Sequence, residues 1–232
     1  MSDVPDEFSS AIAAQGIELE PGDLERLAHY LRLLYAANGR MNLTAVPAGA
    51  DAWMRHIFDS LTLLPLVQQA EAKSVVDVGS GGGVPGLVLA AVVPTVEFTL
   101  VESVGKKARF LEETASSLAC TNVRVRQVRA ETLGAGDLRE CVDLVVSRAV
   151  ARLPILLEYC LPMVRTGGLF VAIKGEQAGA EVAASVHALG ELRGVVVDQT
   201  RTPTGTLVVI EKTGKTPRRY PRAAGEPQRA PL

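Results

Sequence analysis

The stretch Ser74-Val75-Val76-Asp77-Val78-Gly79-Ser80-Gly81-Gly82-Gly83-Val84-Pro85-Gly86 leaves this chain few folds to choose from. A β-branched apolar run closes around an acid, glycines follow at alternate positions, and a second apolar run, Leu87 to Val93, comes after them. A buried parallel strand passes to a helix in this way, through a turn whose backbone N–H groups stay open to a ligand. Positions without a side chain let the chain turn tightly and let a ligand approach backbone that a Cβ would block. A dinucleotide turn favours Gly-x-Gly-x-x-Gly aimed at a pyrophosphate. The spacing Gly79-x-Gly81-x-Gly83 departs from it, and other nucleotide-binding folds stay open on this motif alone.

About twenty residues later, Val96 to Glu102 reads as the next strand and ends in an acid. A carboxylate there can accept hydrogen bonds from both hydroxyls of an adenosine ribose. Nicotinamide enzymes use the same device, so Glu102 points to an adenosine ligand without choosing the cofactor. A solvated acid at a strand end is the plainer alternative.

From Ser74 onward strands and helices alternate. Strands are expected at 74–79, 96–102, 123–128, 142–147 and 168–173, with helices near 86–93, 105–119, 153–164 and 177–190. The runs 194–199 and 206–211 flank Thr202-Pro203-Thr204-Gly205 and predict an antiparallel hairpin. An α/β fold follows: a mostly parallel seven-stranded sheet with helices on both faces and an antiparallel hairpin at one edge. Before it, Asp23 is expected to cap a helix with apolar positions Leu24, Leu27, Ala28, Leu31 and Leu34, ended by Asn38-Gly39. A second helix is expected from Asp51 to Val67, disturbed near Pro65. The division is then a helical extension (1–70) packed on the core, a ligand-binding domain (71–212) and a basic, Pro-rich tail (213–232).

The longest apolar run is far below the ~20 residues of a membrane span, and the acidic N-terminus resembles no signal peptide. Cys120, Cys141 and Cys160 are widely spaced and away from any histidine, which predicts buried thiols in a reducing cytoplasm and no metal site. The net charge of −2 conceals an asymmetry: Lys212, Lys215, Arg218, Arg219, Arg222 and Arg229 face one acid, Glu226, so this end carries +5 and the rest −7. Such a segment is expected to stay extended, either as a phosphate-contacting arm or as a solubilising tail.

Further candidates stand at strand ends, where ligands bind in such sheets. Arg148, at the end of a central strand, favours a ligand or phosphate contact over a structural ion pair, since an unpaired buried cation is costly. Lys174, beside Gly175, reads as a phosphate contact or as a plain surface lysine. Lys106, Lys107, Arg109, Arg124, Arg126 and Arg129 either attract phosphate or form solvated faces.

Asp77-x-Gly79-x-Gly81-x-Gly83 resembles the first motif of class I S-adenosylmethionine (SAM) methyltransferases. Together with Asn42-Leu43-Thr44, Arg55-His56-x-x-Asp59-Ser60-Leu61, Ser103-x-Gly105-Lys106-Lys107, Ser147-Arg148-Ala149 and Lys174-Gly175, it resembles the bacterial 16S rRNA guanine-N7 methyltransferases, the glucose-inhibited division protein B family. The resemblance covers nearly the whole chain after residue 20. Gly82 and Val84 depart mildly from that pattern, and Glu102 replaces a frequent Asp. The resemblance implies a class I methyltransferase fold and methyl transfer from SAM to guanine 527 of 16S rRNA, by a cytoplasmic monomer acting on the 30S subunit or its assembly intermediate. It implies that Asp77, Gly79, Gly81, Gly83, Val84, Glu102, Ala130, Glu131 and Arg148 bind SAM. Glu131 stands at a corner that resembles the one approaching the adenine in class I methyltransferases, and reads either as that contact or as a cap of the next turn. Arg148 and Lys174 would position the reactants without a general base. Asn42, Arg55, His56, Lys106, Lys107, Arg218, Arg219 and Arg222 would face RNA. For the N-terminal residues the residue-level alternatives are plain: Arg55–Asp59 and His56–Ser60 as i, i+4 helix pairs, and Asn42 and Thr44 as turn formers. Another RNA or a small metabolite as acceptor, and a non-catalytic nucleotide-binding ribosome factor, remain as alternative functions.

Overall fold

A computed structural model describes residues 4–232. The N-terminal segment contains α1 (Asp6–Ala14), α2 (Asp23–Met41), α3 (Ala50–Ala52), a π-helical segment (Trp53–Phe58), α4 (Asp59–Leu61) and α5 (Leu64–Gln69). The alternating part runs β1 (Ser74–Val78), α6 (Gly86–Val92), β2 (Glu97–Val101), α7 (Gly105–Ser117), β3 (Val123–Arg126), α8 (Ala130–Ala135), β4 (Val142–Arg148), α9 (Leu153–Cys160) and β5 (Val164–Lys174). It ends in α10 (Ala178–Ala183), α11 (Val186–Leu192), β6 (Gly194–Thr202), β7 (Gly205–Lys212) and α12 (Glu226–Arg229).

The seven strands lie in the order β3-β2-β1-β4-β5-β7-β6, parallel from β3 to β5 and antiparallel at β7 and β6. Side chains alternate across each strand. Val75, Leu100, Leu144, Val146 and Val171 face a core built with α1, α2, the π segment and α6. Val76, Val78, Val145, Phe170 and Ala172 face a second core with α8, α9 and α11. Successive strands are added on one side of β1 and then, from β4 onward, on the other, and the crevice at the carboxyl ends of these two parallel strands is where this architecture places ligands.

Several elements differ from the sequence expectation. Gly22, not Asp23, precedes α2; Asp23 Oδ2 accepts from the Glu20 N–H instead. The helix runs on past Asn38-Gly39 to Met41, because the left-handed Asn42 ends it, while the Asn38 carboxamide accepts from the Leu43 and Thr44 N–H groups. The second expected helix is broken: Pro65 sits in the first turn of α5, where its missing N–H costs nothing, and so begins a new helix. β5 starts at Val164, and the helix expected over 177–190 splits into α10 and α11.

The basic tail is not extended. Arg139 donates to the carbonyls of Gly134, Thr216 and Tyr220 at 2.7–3.2 Å. Arg222 Nη2 lies 2.6 Å from Glu158 Oε2, and Glu158 is 1% exposed. Tyr220 is buried. Lys212, read as a tail cation, is buried too, donating to the Leu161 carbonyl and the Thr216 hydroxyl, and burial pulls its pKa down to about 8. Net charge misled here because one buried carboxylate for Arg222, and carbonyl and hydroxyl acceptors for Lys212, hold this basic segment on the core.

Candidate active site

The turn after β1 is held by its own backbone. The Gly79 and Ser80 N–H groups donate to the Val101 carbonyl, and Gly83 N–H to the Ser80 carbonyl. Gly79 and Gly83 have φ of +75° and +97°, which L side chains rarely adopt. Tyr30, from the N-terminal segment, donates its buried hydroxyl to the Gly82 carbonyl. Asp77 lies beneath this turn, fully buried; its Oδ2 accepts from the first N–H of α6 at Gly86, and a Cβ at Gly86 would come 2.6 Å from the Asp77 Cβ. Burial raises its carboxyl to about 6, and its Oδ1 has no partner.

Two cavities meet above the turn. One, of about 370 Å³, is lined by Val101, Val128, Ala130, Glu131 and Tyr159; the other, of about 770 Å³, by Ser80, Gly81, Val84, Lys107 and Arg148. Gly79, Glu102, Ser103 and Val150 line both. Glu102 is 7% exposed and fixed by Val104 N–H at 2.8 Å and Gly81 N–H at 3.1 Å. Each carboxylate oxygen has a second lone pair for a ribose hydroxyl. An apolar chamber, a carboxylate at the junction and a polar chamber ending in an arginine match adenine, ribose and an amino-acid tail in that order. The residues present fit SAM.

Arg148 closes the polar end. Its guanidinium donates to the Arg55 carbonyl and to His56 Nδ1 (3.0 Å), and lies 3.4 Å from Asp59 Oδ2. His56 Nδ1 therefore accepts, and Nε2–H donates to Thr44 Oγ1 at 2.9 Å. Burial, with Arg148 alongside, lowers the imidazole to about 4, so it stays neutral. Burial raises Asp59 to about 6 against the pull of Arg148. The π segment carries Arg55, His56 and the turn before Asp59, and one wide turn of this kind often marks a functional site.

The sequence candidates separate accordingly. Gly79, Gly81, Val84, Glu102, Ala130, Glu131 and Arg148 line the trough, whereas Asp77 and Gly83 support it from below and line neither cavity. Glu131 neither caps the next turn nor reaches out alone: its Oε1 accepts from the Gly225 N–H of the tail at 2.8 Å. Arg148 forms the structural ion pair that was the alternative reading, and it also lines the cavity. No Arg55–Asp59 salt bridge forms, because Asp59 turns to Arg148; of the expected helix pairs only Ser60 Oγ donating to the His56 carbonyl is made. Asn42 is exposed and serves as a turn former.

Three cations expected on phosphate are otherwise engaged. Lys174 pairs with Glu181 at 2.7 Å and donates to the Ala151 carbonyl, Arg222 holds Glu158, and Arg219 pairs with Glu191. Arg126 likewise pairs with Asp137. Lys106 and Arg218 are exposed, and Lys107 is half-buried. Sequence reasoning missed Tyr159, Val150 and Arg139. An aromatic inside α9, a valine in a loop and one more arginine carry no local signal.

Residues 23–202 match the family model described as rRNA small subunit methyltransferase G. The chain is 44% identical to ribosomal RNA small subunit methyltransferase G of Sorangium cellulosum, over 94% of this chain and 91% of the relative. It is 41% identical to the protein of that name from Levilactobacillus brevis, over 98% of each chain. The chain belongs to the rRNA small subunit methyltransferase G family. A Bacillus cereus O-methyltransferase solved in complex with SAH, 17% identical, shares the fold with a TM-score of 0.56 over 79% of this chain and 90% of that one. No helix among the described residues is long and apolar enough to cross a membrane.

Proposed function

We infer that this enzyme transfers a methyl group from SAM to small-subunit rRNA. The finer reading proposed here is N7 of guanine 527 in 16S rRNA as acceptor, on the 30S subunit or an assembly intermediate, by a cytoplasmic monomer. Family membership carries the reaction class, and the two-chamber trough with Glu102 at its junction supports the cofactor. SAM supplies an electrophilic methyl on a sulfonium when bound.

Guanine N7 offers an in-plane lone pair and carries no proton, so the chain needs no general base. None of the groups around Arg148 is poised as one: His56 is already hydrogen-bonded at both ring nitrogens, and Asp59 is turned to the guanidinium. The work left to the residues is placement, for which a correctly held reactant pair can lower the barrier by about 7–11 kcal/mol. Arg148, fixed from three sides, forms a rigid wall between the trough and the acceptor side. Asp59, ionised above about pH 6, offsets the guanidinium charge, which suits a purine ring that becomes cationic on methylation.

The test is labelled methyl transfer from SAM to 30S subunits lacking their own guanine-N7 mark, with the modified nucleotide mapped. Label at N7 of guanine 527 is expected. Label elsewhere in the RNA, or none, would overturn the acceptor assignment.

A further inference from the structure

A third cavity, of about 810 Å³, opens on the far side of Arg148 and Ala149, which also line the cofactor trough. Val46 and Ile173 give it apolar walls. Lys174, Glu181 and Thr204 of the hairpin turn also line it, as do Arg55 and Asp59. Glu181 Oε2 forms an ion pair with Lys174 Nζ at 2.7 Å and accepts from the Leu153 N–H at 2.6 Å. These two groups fix the carboxylate. Among the described residues its other oxygen, Oε1, accepts no hydrogen bond. Among the described residues the only buried side-chain oxygen or nitrogen without a partner is Asp77 Oδ1, so Glu181 Oε1 is open to solvent on a residue that lines the cavity.

An open carboxylate oxygen seeks a donor. Guanine presents N1–H and a 2-amino group on one edge and N7 on the opposite side of the ring. Adenine presents an acceptor at N1, which a carboxylate repels. A cavity that shares Arg148 and Ala149 with the cofactor trough and carries the Glu181 carboxylate in its wall therefore suits a guanine held by its N1–H and 2-amino edge with N7 toward the trough. We propose that this cavity receives the acceptor guanine and that Glu181 reads its N1–H and 2-amino edge, with Lys174 positioning the carboxylate. Lys174 thereby gains a role other than a phosphate contact. The base must leave its stack to enter, as bases in single-stranded RNA loops do. The proposal rests on the assignment of a guanine N7 in rRNA as acceptor.

The experiment uses 30S subunits carrying either guanine or inosine at the target position. Inosine keeps N7 and N1–H and lacks only the 2-amino group. Single-turnover methyl transfer is measured with the full-length chain and with Glu181→Gln, alongside calorimetric titration of SAH. The wild-type rate at subsaturating enzyme is expected to fall about ten-fold or more on inosine, the loss typical of an unmade hydrogen bond to a charged group. For Glu181→Gln the guanine rate is expected to drop to a similar level, with inosine costing little further, while SAH affinity stays within two-fold. An equal inosine penalty in both proteins, or no penalty in the wild type, overturns the role of Glu181. The wild-type inosine comparison stands even if the variant fails to fold. Absence of transfer by the wild type to guanine subunits would instead refute the acceptor assignment beneath the proposal.

Discussion

The segment before β1 and the segment after β7 grip opposite ends of one trough, and they do so with different chemistry. The N-terminal segment reaches the polar end through Tyr30 on the Gly82 carbonyl and through Arg55, His56 and Asp59 on Arg148. The tail reaches the apolar end through Gly225 N–H on Glu131, and is anchored by Arg139 and by Arg222 on Glu158. At the N-terminal grip the acid and the imidazole have pKa values near 6 and 4, and the arginine keeps a face toward the cavity. At the tail the acid is 1% exposed and fully hydrogen-bonded. The first is a grip that can trade a proton and serve a reaction. The second is a fixed brace.

The largest expected effect lies at the brace. Arg222→Ala leaves Glu158 buried without its cation, a loss on the order of 3–5 kcal/mol, which for a chain of this size lowers the melting temperature by roughly 10 °C. Thermal denaturation reads it; a melt within a degree or two of wild type would remove the brace from the account.

Arg148→Ala is expected to separate the two regions. Asp59, already raised to about 6, can take up a proton when its cation goes, so the melt should shift only slightly. Single-turnover transfer should fall about a hundred-fold, the scale of a misplaced reactant or a lost positioned donor. A large melting shift with unchanged transfer would reverse the comparison.

A smaller, ten-fold effect should appear with pH. Below about 6 Asp59 becomes neutral and no longer offsets Arg148, so single-turnover transfer should decline from pH 7 to 5, with Asp59→Asn flattening that limb. Asp77 titrates in the same window, and the variant tells the two apart. Stability follows another course. The raised pKa of Asp59 means its contribution is greatest at low pH and is lost as pH rises from about 4 to about 6. The lowered pKa of His56 means its contribution holds above its ordinary value of 6.5 and is lost as pH falls toward 4. The rate and the melt should therefore not share one profile.

The sheet and the cofactor trough were legible because their signals are local. The run Ser74–Gly86 carries strand, turn and helix in thirteen consecutive residues, and Glu102 stands where the next strand ends. The grips were not legible because they join residues far apart in the chain. Arg148 meets Asp59 across 89 positions, Arg222 meets Glu158 across 64 and Gly225 meets Glu131 across 94. Charge counting assigned Arg222, Lys174 and Lys212 to solvent or phosphate, since nothing near them in sequence announces Glu158, Glu181 or the Leu161 carbonyl. The π segment was hidden too, because its residues keep an ordinary helical pattern.

The tail lines none of the trough directly, yet through Gly225 N–H on Glu131 it is expected to set how well the cofactor end is formed. Arg139 tests it most directly, since it touches the carbonyls of Thr216 and Tyr220 and lies outside both chambers. Calorimetric titration of SAH into full-length Arg139→Ala is expected to show affinity several-fold below wild type, with the loss confined to binding. Wild-type affinity in a variant whose tail has become open to protease would contradict the account.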